Sequence, residues 1–230
     1  MEIAPGVHAV RLLNVYAFLI DEPQLSLIDA GLIGSAGRVQ RYVKGIGRTL
    51  DDLGRIICTH AHPDHIGGVR ELAGERDVDV LMHPADLEGL KVKLRDAVAN
   101  RNRGQLIAYF TRHPGEATPV TDGQVLPILG GLQVVHTPGH TPGSICLLAG
   151  NQLITGDTLF PGGPGRTNRP EDLQEEIRSI TSRLFVLPDE THVHPGHGDG
   201  TTLGVSKKEY VVFASREHPP DLCGDVTWEG

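Results

Sequence analysis

Almost every apolar run in this 230-residue chain is short and closes on glycine, proline, aspartate or a histidine turn. VHAVRLL (7–13), VYAFLID (15–21), LSLIDAG (25–31), VDVLM (78–82), LQVVHTP (132–138), SICLLAG (144–150) and QLITGD (152–157) repeat the pattern. Runs of this length, rich in β-branched residues, fit strands, and the 29 Gly and 16 Pro supply the tight turns between them. The chain is therefore expected to build many short elements, with enough apolar residues for a substantial core.

The order of those runs argues for an α/β protein. Residues 7 to 31 alternate as a meander of short strands. Ser35 is placed to cap a helix running to about Gly47, in which Val39, Val43 and Ile46 recur at helical spacing. RIICT (55–59) reads as a buried strand, IGGVRELAG as a short helix, and VDVLM as the next, parallel strand. In such β-loop-α-β units, sites gather outside the carboxyl ends of the strands. Residues 84 to 115 are more polar and basic, a helix and loop excursion that either shapes a pocket entrance or is a solvated face. From 118 a second meander begins. An amphipathic helix follows in PEDLQEEIRSITSRLF, with Leu173, Ile177, Ile180 and Leu184 on one face, and then a short strand THVHP. The chain thus reads as two halves of the same kind. No linker divides them, so residues 1–230 are expected to form a single domain.

Composition excludes some functions. A formal charge of −8 with only 21 Lys and Arg leaves no basic stripe for a phosphate backbone, so nucleic acid is not an expected partner. MEIAPGVHAVRLL lacks the basic and long apolar regions of a signal peptide, and no apolar run approaches the roughly 18 residues of a membrane span. A soluble, cytoplasmic protein is expected. Cys58, Cys146 and Cys223 show no CxxC spacing and read as small hydrophobes rather than nucleophiles.

The chemistry concentrates in THAHPDH, residues 59–65, which RIICT delivers to a strand end. His60 and His62 flank one residue, so in an extended segment both imidazoles project to one side and suit one ion. Asp64 and His65 fall where Pro63 turns the chain into a helix, and are expected to aim elsewhere, at a second ion. The plainer reading makes Asp64 a helix cap and the histidines hydrogen-bonded strand-end residues. Further donors stand at later strand ends: His140 in HTPGHTPGS, Asp157 in LITGD and His197 in HPGHG. His136 and His194 are near enough to brace ligands, whereas His8, His83, His113, His192 and His218 have no partner pattern.

THAHPDHIGG, TPGHTPGS, ITGD and HPGHG, in this order, resemble the metal-binding motifs of the metallo-β-lactamase superfamily, and the similarity covers nearly the whole chain. The resemblance implies an αββα sandwich of two similar halves. It also implies two metal ions, zinc with iron or manganese as alternatives. His60, His62 and His140 would hold the first, Asp64, His65 and His197 the second, and Asp157 would bridge them. Lactamases proper carry another residue at the place of Asp157. GDTLF and GRT are most similar to the small bacterial relatives of glyoxalase II, the hydroxyacylglutathione hydrolases.

The implied activity is hydrolysis of a small-molecule thioester or ester by a hydroxide bridging the two ions. Asp64 would orient the hydroxide and Arg166 would bind an acidic group of the substrate. Two departures leave the carrier thiol open: only about thirty residues follow HPGHG, and Asp199 stands where glyoxalase II carries tyrosine. The same motifs admit a mononuclear iron persulfide dioxygenase, using the positions of His60, His140 and Asp157, and a lactonase. A monomer or homodimer is expected.

Overall fold

The computed structural model describes residues 1–74, 76–89 and 117–228, so the excursion expected over 84–115, with His113, lies almost wholly outside the described residues. The chain divides into two compact units, Met1–Val120 and Thr121–Gly230.

The first unit is built on a seven-stranded sheet whose strands lie in sequence order. β1 (Glu2–Ala4), β2 (Val7–Leu12), β3 (Val15–Ile20) and β4 (Leu25–Ile28) form the expected antiparallel meander. β5 (Leu53–Ile57), β6 (Asp79–Met82) and β7 (Thr118–Pro119) add to it in parallel. Parallel neighbours need crossovers. α1 (Ala36–Gly45) supplies the first, burying Val39 and Val43 against a core that includes Leu12, Leu19, Leu27, Ile56 and Leu72. Ser35 occupies the N-cap position, but its side chain makes no capping bond and packs by Gly31, where a Cβ would lie 2.6 Å from its Oγ.

Two details of this unit differ from the sequence expectation, and both bear on the strand-end histidines. β5 ends at Ile57 rather than Thr59, because the Thr59 amide leaves the ladder to donate to the Asp29 carboxylate at 2.8 Å. The helix expected over IGGVRELAG is two helices, α2 (Pro63–Ile66) and α3 (Val69–Ala73). The break falls at the glycine pair. The Gly68 N–H donates to Gly31 O, and a Cβ on Gly68 would stand 2.2 Å from Ala30 O. α4 (Pro84–Gly89) follows β6.

The second unit repeats the plan. β8 (Val125–Leu126), β9 (Leu132–His136), β10 (Ile145–Ala149) and β11 (Gln152–Gly156) are antiparallel. After the small hairpin of β12 (Leu159–Phe160) and β13 (Gly163–Pro164), α5 (Pro170–Ser179) crosses to β14 (His192–Pro195), which pairs parallel with β11. β15 (Thr201–Thr202) and α6 (Leu203–Ala214) complete it. α5 begins with Pro170 in its first turn, where the missing N–H costs nothing, and runs on into a π-type segment, Ile180–Leu184.

Leu173, Ile180 and Leu184 are buried as the apolar spacing predicts, Ile177 is half-buried, and Glu176 between them is buried as well. The helix packs into a cluster centred on Trp228, which meets Tyr210 and Phe213 edge-on at 5.1 Å each. Among the described residues no helix is long and apolar enough to cross a membrane.

Candidate metal centre

In the first unit, His60 follows the end of β5 and is buried, as is His65; His62 and Asp64 are half-buried. His62 is the N-cap residue of α2 with an extended backbone, and Pro63 takes the first helical position. The expectation that His60 and His62 share a side holds, with ring centroids 4.7 Å apart. The His65 ring lies 4.0 Å from that of His60. The carbonyl of His62 accepts from the His65 N–H at 3.0 Å, so one helical turn returns the third imidazole to the first.

What orients these rings is a carboxylate that sequence reasoning passed over. Asp29, buried at the end of β4, holds φ +60, a conformation Asp tolerates better than most residues. Its Oδ1 accepts from the Thr59 N–H at 2.8 Å, and its Oδ2 accepts from Thr59 Oγ1 at 2.8 Å and from His65 Nδ1 at 2.7 Å. Since the Thr59 hydroxyl proton is committed to Asp29, its oxygen is the acceptor for His60 Nδ1, 3.1 Å away. A second acid, Asp86 on α4, accepts the Ala61 N–H at 2.7 Å and holds the peptide between His60 and His62. LSLIDAG carried a signal for Asp29, since it ends an apolar strand on Asp-small-residue as LITGD does.

In the second unit, His140 lies in the loop after β9, Asp157 follows β11 and His197 follows β14. The parallel pairing of β11 with β14 aligns those two ends, and Gly196 N–H donates to Gly156 O at 2.8 Å. Asp157 Oδ2 stands 3.7 Å from His140 Nε2 and 3.4 Å from His197 Nε2, placing the carboxylate between the imidazoles. His140 Nδ1 donates to the Arg166 carbonyl at 2.8 Å. The Arg166 side chain itself is exposed, with Asp225 at 3.9 Å. His136 braces the His140 loop, its Nε2 3.0 Å from Pro142 O. His194 instead bonds Gln152 at 2.8 Å, and burial, with His192 beside it, lowers its pKa to about 4.

A common rule emerges within the units. His60, His65 and His140 each use Nδ1 to donate to an oxygen, which fixes the tautomer that leaves the lone pair on Nε2. Imidazole Nε2 with carboxylate oxygen is the donor set that suits zinc, and equally iron or manganese. The thiols of Cys58 and Cys146 do not join it: burial pushes the pKa of Cys58 well up and that of Cys146 to about 11. His8 bonds Tyr42, His83 accepts from Ala85 N–H, His192 stacks on His194, and His218 stacks on Phe213.

Comparison with known proteins places these donors in a family context. Residues 10–197 match the model described as Metallo-beta-lactamase superfamily. The chain is 35% identical over 193 residues to the probable metallo-hydrolase YqgX of Bacillus subtilis (strain 168), covering 83% of this chain and 87% of that one. It is 29% identical over 200 residues to the hydroxyacylglutathione hydrolase GloC of Haemophilus influenzae, covering 85% and 90%. The crystal structure of TTHA1623 in a di-iron-bound form superposes with a TM-score of 0.69 at 32% identity, covering 88% of this chain and 96% of that one.

Proposed function

We infer, from the premise that this chain belongs to the metallo-β-lactamase superfamily, that it is a dinuclear metallohydrolase of thioesters or esters. Its α/β fold class and its metallohydrolase character follow from that membership. The substrate class, the two-ion site and the single-domain organisation of residues 1–230 are our reading. The observation that carries it is the shared orientation of His60, His65 and His140, each with Nδ1 engaged and Nε2 left as the donor. Likeness to GloC supports a thioester as the substrate.

In this reading His60, His62 and His140 hold one ion, Asp64, His65 and His197 the other, and Asp157 both. Zinc is the metal proposed, with iron or manganese as alternatives; bound there, the ions would supply an acidified water, its pKa lowered towards neutrality, and Lewis-acid polarisation of the carbonyl. Asp64 orients the attacking water. Asp29 keeps His65 in its donating tautomer, and the Arg166 carbonyl does the same for His140. The Arg166 guanidinium, exposed beside the His140 loop, binds an acidic group of the substrate. Neither Cys58 nor Cys146 is the nucleophile, since both are buried and held protonated.

The test is turnover of metal-loaded protein on S-lactoylglutathione beside an acyl-CoA, a simple thioester, an aryl ester and a homoserine lactone. Hydrolysis of one or more thioesters above the lactone supports the reading. Preference for the lactone would replace the substrate class, and oxygen uptake on glutathione persulfide without hydrolysis would replace the reaction.

A further inference from the structure

The second unit buries an acid that neither the fold nor the chemistry above requires. Glu176 sits on the inward face of α5 with 0% exposure. Among the described residues, neither of its carboxyl oxygens has a hydrogen-bond partner of normal geometry. Burial raises its pKa to about 9; the nearby N–H of Gly165 offsets this only in part, and the charges of Asp157 and Asp172 add to the rise. At neutral pH the group is therefore a neutral acid. A helix position between Leu173 and Ile180 would be more stable with an apolar side chain, so stability does not explain the carboxyl.

Its neighbours are the two segments that hold His140. Gly139 lies so close to α5 that a Cβ there would stand 2.2 Å from Glu176 Cβ and 2.6 Å from Glu176 N. The backbone of Gly139 has φ +147, which a side chain would also oppose. At the far end of the side chain, a Cβ on Gly165 would stand 2.8 Å from Glu176 Oε1 and 1.9 Å from the Asp157 carbonyl oxygen. Gly165 precedes Arg166, whose carbonyl orients the His140 ring. Ser179, one turn along α5, donates its hydroxyl to Pro138 O at 2.8 Å. The helix thus braces the His140 loop at Pro138 and Gly139, and the Glu176 side chain reaches from that loop to the segment that aims the imidazole.

We propose that Glu176 is a positioning residue of the metal centre: its side chain, spanning from Gly139 to Gly165, sets the separation of the two segments that hold His140, and through them the stance of His140 Nε2 towards Asp157. The proposal rests on the reading of His140 and Asp157 as metal ligands. Its requirement is an uncharged side chain of this length. Glutamine meets it, aspartate falls one methylene short, and alanine leaves the space empty.

Cobalt(II) titration of the metal-free full-length protein, followed by visible absorption, with zinc competition for affinity and a thermal melt for folding, tests this. Glu176→Gln is expected to reproduce the wild-type absorption and affinity. Glu176→Asp and Glu176→Ala should shift the absorption of the ion held by His140 and weaken it by about tenfold or more, with His65→Ala, which the reading assigns to the other ion, serving as the reference for changes there. A purely structural role would move the melt and leave the absorption unchanged. Unchanged absorption and affinity in both Glu176→Asp and Glu176→Ala would overturn the proposal, as would a Glu176→Gln protein as perturbed as Glu176→Ala. Wild-type protein indistinguishable from His140→Ala in cobalt absorption would overturn the metal reading itself, and this inference with it.

Discussion

The two units carry the same kind of donor at strand ends and hold it by different means. In the first, four candidate donors fall within six residues, His60 to His65, and one buried carboxylate sets two of the rings directly or through a hydroxyl. In the second, the donors come from three separate loops, and the ring of His140 is set by a main-chain carbonyl. A main-chain acceptor cannot be removed by substitution, so orientation there depends on where whole segments lie. Glycines that allow close approach, and the helix packed against them, do the placing. The first unit is therefore vulnerable at a single side chain, Asp29, and the second at its packing.

That contrast can be broken most severely at the residue between the histidines of the second unit. Asp157→Ala is expected to abolish retention of at least one ion and to lower hydrolysis by on the order of a thousandfold or more, through loss of the acidified water; elemental analysis and kcat/KM check both. Next in size is Asp29. Asn keeps the φ +60 backbone but not the carboxylate, and is expected to weaken metal binding about tenfold. Ala should approach a hundredfold and also destabilise the fold by about 1–3 kcal/mol, because buried donors lose their acceptor. Denaturant melts of metal-free protein separate the two effects.

Glu176 sharpens the comparison through pH. Its folded pKa, about 9, lies above its ordinary 4.5, so between those values the native state keeps a proton that the unfolded chain has released. Stability contributed by this group is full below the lower value and declines as pH rises through the window, by at most about 1.4 kcal/mol per unit. Glu176→Gln should flatten that decline, and its advantage in melting temperature should be larger at pH 8 than at pH 5. An advantage that does not grow with pH would contradict the assignment of a neutral buried acid. The smallest effect belongs to Arg166→Ala. It should raise KM several-fold for an acidic substrate while leaving the melting temperature nearly unchanged, since an exposed pair such as that with Asp225 contributes about 0–1 kcal/mol.

Much of this was legible in the sequence because the strands are short and each ends on its donor. Once RIICT, LITGD and THVHP are read as strands, the residues after them must lie at strand ends, and the observed placement of His60, Asp157 and His197 follows. The residues that hold the donors were less legible. Asp29 meets Thr59 and His65 at separations of 30 and 36 residues, and Asp86 meets Ala61 at 25. No periodicity links a lone carboxylate to a backbone amide that far away.

Glu176 was hidden for another reason. In an amphipathic helix a glutamate is assigned to the solvent side, and only packing at two glycines, one on each side of it, turns this one inward. The position of His65 beside His60 depended on the actual turn of α2, which residue types alone did not fix. Ser35, by contrast, had the right position and the wrong role: its backbone is already helical at φ −76, ψ −21, and its side chain makes no capping bond.

The most direct test of the central claim is the metal content of full-length protein purified without added metal, compared with His60→Ala and His197→Ala prepared in the same way. The expected result is about two ions per wild-type chain, with each substitution lowering the content towards one. A single iron per chain that survives His197→Ala unchanged would contradict the two-ion hydrolase.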